Sequence, residues 1–149
     1  MKRFVFAAVP VLALSVAQVA LAQQPAHRPS AKAAGAVVQV HMQMQGSKYM
    51  FDPSTLTIHQ GDVVEFVNVS GFPHDVMFDA AHIPAGAAAV LNSNMANRMG
   101  SLQGPMMTQP HQTYRVSFAG APVGTYAFYC LPHRALGMTG TITVTAARH

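Results

Sequence analysis

The sequence predicts an all-β protein, an antiparallel β-sandwich of seven to eight short strands. Three observations lead there. Stretches rich in Val, Ile, Thr, Phe and Tyr recur along the chain, several with strict apolar–polar alternation, the pattern of a strand with one wet face. Gly and Pro punctuate nearly every gap between them. The chain has 149 residues, of which 50% are apolar and only 9% charged, enough for one core and too apolar for disorder.

Residues 1–22 read as a secretory signal peptide. Lys2 and Arg3 supply the positive start, an apolar run follows, and Ala20-Leu21-Ala22 is a small-x-small cleavage site before Gln23-Gln24. Residues 23–35, with Pro25, Pro29 and several alanines, read as a flexible linker with little to bury. The folded domain is expected over residues 36–146, followed by a tail at 147–149.

Within the domain, Val38, Val40, Met42 and Met44 alternate with Gln39, His41, Gln43 and Gln45, which places the two methionines on a buried face. Leu56-Thr57-Ile58 forms the next strand after Pro53. His59-Gln60-Gly61-Asp62 is a turn, and Val63 to Val67 resumes the sheet. Asp75 to Phe78 is a short strand. Tyr114 to Phe118 alternates again, and Gly124 to Tyr129 and Thr139 to Val144 complete the set. The exception is Ile83 to Gln109, where alanines support a short helix near Ala87–Leu91 before Gly100, Gly104 and Pro105 return the chain to loop.

The nine Lys and Arg outnumber the five Asp and Glu, for a formal charge of +4, yet they are scattered. No basic cluster of the kind that binds nucleic acid is present. The single cysteine, Cys130, excludes an intramolecular disulfide. In an exported chain such a thiol needs something to hold it.

That something is indicated by the spacing Cys130-x2-His133-x4-Met138, in a loop between two strands. A loop this short brings a thiol, an imidazole and a thioether to one end of a sandwich. His74, stiffened by Pro73 and followed by a strand, fits as a fourth donor from the same end. Two imidazoles, a thiolate and a weak axial thioether make a trigonal copper site; zinc prefers four good donors, and Met138 is a poor one for it. A site that suits both copper oxidation states takes and releases one electron with little rearrangement. A Cys–His nucleophile is disfavoured, because no orienting third group accompanies the pair.

At these residues the sequence resembles the plastocyanins, type 1 blue copper proteins of the cupredoxin class. The likeness runs from Tyr49 to Val144 through Phe51-Asp52-Pro53, Gly61-Asp62, Gly71-Phe72-Pro73-His74, Ile83-Pro84-Ala85-Gly86, Tyr129-Cys130-Leu131-Pro132-His133 and Gly137-Met138-Thr139-Gly140. It implies a Greek-key cupredoxin sandwich with one copper cycling between Cu(I) and Cu(II). His74, Cys130 and His133 would be its strong ligands and Met138 its axial one. It also implies an apolar docking patch around His133, formed by Phe72, Pro73, Pro132 and Leu136, and a second electron route at Tyr129. Plant members carry acidic patches that steer positively charged partners. Here the corresponding Phe78-Asp79-Ala80-Ala81-His82 is almost uncharged. Where plastocyanins usually have Asn after the first ligand, this chain has Asp75, whose charge would favour Cu(II).

The expectation is a non-enzymatic, monomeric carrier of single electrons. It would be exported, to a periplasm or a thylakoid lumen, and without membrane attachment after cleavage. Redox proteins such as c-type cytochromes would dock near His133. The alternative is a copper chaperone or store that adds Met95, Met99, Met106 and Met107, with His111 nearby, to the same site. Met50 and Met77 are expected in the core; His41, His59 and His82 are expected at the surface.

Overall fold

The computed structural model describes residues 35–148, so the signal-peptide and linker readings lie outside the described residues, apart from Gly35. Eight strands form two four-stranded sheets. The first sheet has the order β2-β1-β4-β6, from β1 (Val37–Gln45), β2 (Lys48–Asp52), β4 (Val63–Asn68) and β6 (Thr113–Ser117). The second has the order β3-β8-β7-β5, from β3 (Thr55–His59), β8 (Thr139–Thr145), β7 (Gly124–Tyr129) and β5 (Met77–Phe78). One helix, α1 (Ala87–Asn94), packs against the first sheet through Leu91. Among the described residues no helix is long and apolar enough to cross a membrane.

Alternation builds the core. Val40 and Met42 of β1, Val64 and Phe66 of β4, Tyr126 and Phe128 of β7, and Ile142 and Val144 of β8 are all buried. Phe51 and Phe66 from one sheet meet Phe128 from the other, with ring centroids 4.7 and 5.5 Å from it, which closes the sandwich with edge-on aromatic contacts. Outward positions pair across strands: Glu65 accepts from Arg115 at 2.6 Å and from Gln39 at 2.7 Å, its register neighbours on β6 and β1.

The pairing is not antiparallel throughout. β1 runs parallel to β4, and β3 parallel to β8. The cause lies at Asp52-Pro53-Ser54. There the chain leaves β2 in one sheet and enters β3 in the other after only two residues, with no turn to reverse it. The tight turn at Gln60–Asp62 then sends β4 back beside β1. Asp62 holds that turn, its carboxylate accepting from the backbone N–H groups of His59 and Ala36.

Several local expectations change. β2 was not among the strands read from the pattern; it forms a hairpin with β1 across Gly46-Ser47, with Gln45 opposite Lys48. β5 covers only Met77–Phe78, because the backbone of residues 74–76 bonds instead to the 104–107 loop, through His74 with Met107 and Val76 with Gly104. Met44 is exposed rather than buried, since β1 overshoots the core at that end. Met50 and Met77 are half-buried. His59 is half-buried too, with Nδ1 3.8 Å from Asp62 and lacking a hydrogen-bond partner.

Candidate metal centre

Three connections meet at one end of the sandwich: the 45–48 hairpin, the loop from β4 to β5, and the loop from β7 to β8. The strand directions require this. β1, β4 and β7 end where β2, β5 and β8 begin.

The β4–β5 loop carries His74. It is wound around the buried side chain of Asn68, whose amide N–H donates to the carbonyls of Phe72 (2.9 Å) and Met107 (3.1 Å) and whose Oδ1 accepts from Gly71 N–H (3.0 Å). Gly71 sits at φ +74 against the Pro110 ring, which a Cβ would strike at 2.9 Å, so the tight turn needs glycine there. Reciprocal backbone bonds to Met107 then pin His74 itself.

The β7–β8 loop carries the other three. Cys130 N–H donates to the Met138 carbonyl, His133 N–H to Cys130, and Met138 N–H to His133. The loop is therefore closed on its own backbone. A short 3-10 turn at Arg134–Leu136 ends at Gly137, whose φ of +85 brings the chain round to Met138. Met138 and Cys130 are both fully buried.

The side chains converge. Cys130 Sγ lies 3.7 Å from His74 Nδ1 and 3.4 Å from His133 Nδ1, and the three donor atoms lie within 4.8 Å of one another. His74 Nε2 is 3.3 Å from Ser70 Oγ. A proton on Nε2 donated there leaves the Nδ1 lone pair facing the sulfur. Burial, with the neighbouring His133 ring, pulls the His74 imidazole down to about 4, and burial lowers His133 as well. Both rings are neutral near pH 7. Burial pushes the Cys130 thiol up to about 11, against the opposing pull of the Asp75 and His133 backbone N–H groups. A soft cation among these atoms would supply the positive charge that a thiolate lacks here.

Two further contacts shape the centre; Tyr49 and Gln103 are residues that the spacing of the ligands does not reveal, whereas Asp75 directly follows His74. The Tyr49 ring stacks on the His133 ring, centroids 3.8 Å apart and planes 10° from parallel. Its place on β2, opposite Met44 and one residue past the hairpin, carries it there; the Gly46-Ser47 dipeptide is the signal that could have shown it. Asp75 is fully buried, and its two oxygens accept from Leu131 N–H at 2.6 Å and from Gln103 Nε2 at 2.9 Å. Gln103 thereby joins the long loop to both donor loops.

The methionines of residues 95–107 are spread between core and surface. Met95 and Met107 are core residues, Met106 is half-buried and Met99 points to solvent. Tyr129 is 7% exposed, and the Arg134 guanidinium lies 4.0 Å above its ring while bonding Asp79 at 3.3 Å.

Two imidazoles, a thiol and a buried thioether on a two-sheet frame are the makings of a small copper protein. The family model described as copper binding proteins, plastocyanin/azurin family, matches residues 38–145. A plastocyanin of Prochlorothrix hollandica is 42% identical over 117 residues, 77% of this chain and 78% of that protein. One from Lactuca sativa is 38% identical over 95 residues, 64% of this chain and 87% of that protein. The oxidised plastocyanin of Dryopteris crassirhizoma superposes with a TM-score of 0.56 at 30% identity, over 72% of this chain and all of that one. The chain belongs to the plastocyanin/azurin family of copper-binding proteins, and copper-based electron transfer is the activity that membership implies.

Proposed function

We propose that His74, Cys130 and His133 hold copper as strong ligands, with Met138 in the axial position, and that the protein is an exported carrier of single electrons. When bound there, copper supplies a one-electron Cu(I)/Cu(II) couple. The chain supplies the rest. Backbone bonds hold both donor loops, so the imidazoles and the sulfur keep their places whatever the charge between them. Burial of Cys130, His74 and Met138 keeps water from the sulfurs. Only His133 reaches toward the surface, amid exposed Phe72, Leu131 and Leu136, where redox proteins such as c-type cytochromes would dock.

The observation that carries this reading is the approach of two Nδ1 atoms to one buried sulfur. The 95–107 methionines are split between core and solvent, which favours the carrier over a store that would gather them at one place. Export rests on residues 1–22 of the sequence. The test is a visible spectrum of the copper-loaded protein. An intense thiolate-to-copper band that bleaches reversibly on reduction is expected, and Cys130→Ser should abolish it. A colourless loaded protein, or a band that survives the substitution, overturns the ligand set.

A further inference from the structure

The long segment between α1 and β6 is fastened to the centre at its middle. Residues 102–107 run beside residues 74–78: Phe78 N–H donates to the Leu102 carbonyl at 2.9 Å, Gly104 N–H to Val76 at 2.9 Å, and His74 and Met107 exchange bonds at 3.0 and 2.8 Å. Gln103 falls within that run, and its Nε2 donates to Asp75 Oδ2 at 2.9 Å.

Gln103 is itself held from behind. The chain reaches it through a tight turn, in which Met99 N–H donates to the Gln103 carbonyl at 3.1 Å. Leu102, buried in that turn, takes a φ of +59, a conformation that residues with side chains rarely adopt. Asn92 of α1 steadies it: its Oδ1 accepts from Leu102 N–H at 2.7 Å and from the Arg98 guanidinium at 3.0 Å. On the far side of Gln103, Gly104 lies so close to Tyr114 that a Cβ would strike the ring at 2.6 Å. The backbone thus fixes where the glutamine side chain starts. Beyond the amide, Asp75 Oδ1 accepts from Leu131 N–H at 2.6 Å, and Asp75 N–H faces the Cys130 sulfur. Among the described residues, the Gln103 amide is the one hydrogen-bond partner of Asp75 Oδ2.

We infer that Gln103 is a positioning residue of the metal centre: by holding the plane of the Asp75 carboxyl group it holds the bond to Leu131, and through that bond the direction of the Cys130 sulfur. This rests on the proposed ligand set and adds to it a residue outside both donor loops. A carboxyl group bonded through one oxygen can still turn about its side-chain torsions. Bonded through both oxygens to separate segments, it turns only by breaking a bond. Leu131 N–H lies in the same peptide plane as the Cys130 Cα, so slack at that N–H is passed to the residue that carries the sulfur.

The experiment compares Gln103→Leu, which keeps bulk but no donor, with Met99→Ser, an exposed change in the same turn. In the metal-free full chain, hydrogen exchange at the Leu131 amide should become about tenfold faster in Gln103→Leu, as for one lost buried bond, while the core amides of Val40 and Phe66 keep their protection. In the copper-loaded chain, Gln103→Leu should release the ion to a chelator about tenfold faster. Met99→Ser should leave both readings unchanged. Should Gln103→Leu not fold, Gln103→Asn, a methylene too short for the 2.9 Å bond, takes its place. Leu131 exchange within about twofold of the parent, or an equal change in Met99→Ser, overturns the inference. So does a uniform loss of protection that includes Val40 and Phe66, which marks a merely structural role. A loaded protein without the blue band refutes the ligand set instead, and exchange in the metal-free chain still decides the role of Gln103.

Discussion

Asp75 is the residue expected to tune the redox balance of the proposed centre. It lies beside the first donor and bonds the loop of the second and third, and no cation among the described residues pairs with it. A thiolate and a carboxylate together balance a divalent ion and leave excess negative charge around a monovalent one. A carboxylate buried there would favour the oxidised state of the proposed site. Asp75→Asn keeps the shape and removes the charge, and voltammetry should show the reduction potential raised by on the order of 100 mV. An unchanged potential would mean that solvent screens the carboxylate. Tyr49 acts on geometry instead. Its stack holds the one half-exposed donor ring. Tyr49→Leu should cost about 1 kcal/mol of metal-free stability, read by urea titration, and broaden the His133 ring signals in NMR.

At the scale of elements, the β4–β5 loop depends on one side chain. Asn68 satisfies Gly71 N–H and two carbonyls from inside the protein, where water cannot replace it. Asn68→Ala should destabilise the fold by about 2–3 kcal/mol and weaken copper retention against a chelator, because His74 loses its support. Aspartate at this position would keep the acceptor for Gly71 but not the donors. The elements also show what could be read beforehand. Seven strands were legible because alternation is local, and Cys130, His133 and Met138 because one loop carries them. β2 hid because Tyr49-Met50-Phe51 is a short unbroken apolar run with no alternation to mark a strand. The parallel pairs were hidden because strand direction depends on the change of sheet at Asp52–Ser54, which alternation does not encode. Asn68, Tyr49 and Gln103 reach the centre from three separate segments, and no spacing rule links them.

For the whole molecule, the metal-free protein should be sensitive to acid. The His74 imidazole falls from 6.5 in the unfolded chain to about 4 in the fold. Between those values the unfolded state binds a proton that the folded state refuses. The neutral ring's contribution is complete above 6.5 and is lost progressively as pH falls toward about 4, on the order of 3 kcal/mol in all. His133 adds to the loss in the same direction. Thermal melts of metal-free protein should therefore drop steeply from pH 7 to pH 4, and His74→Phe should flatten the curve. Copper binding displaces protons from the centre, so retention of the ion should strengthen as pH rises.

The clasp of Arg134 over Tyr129 has a consequence for traffic. With Tyr129 covered by a guanidinium that bonds Asp79, the proposed carrier would pass its electron at His133, the half-exposed donor ring. Donor and acceptor would then share one threshold and visit in turn. Each delivery would then have to finish before the next collection begins.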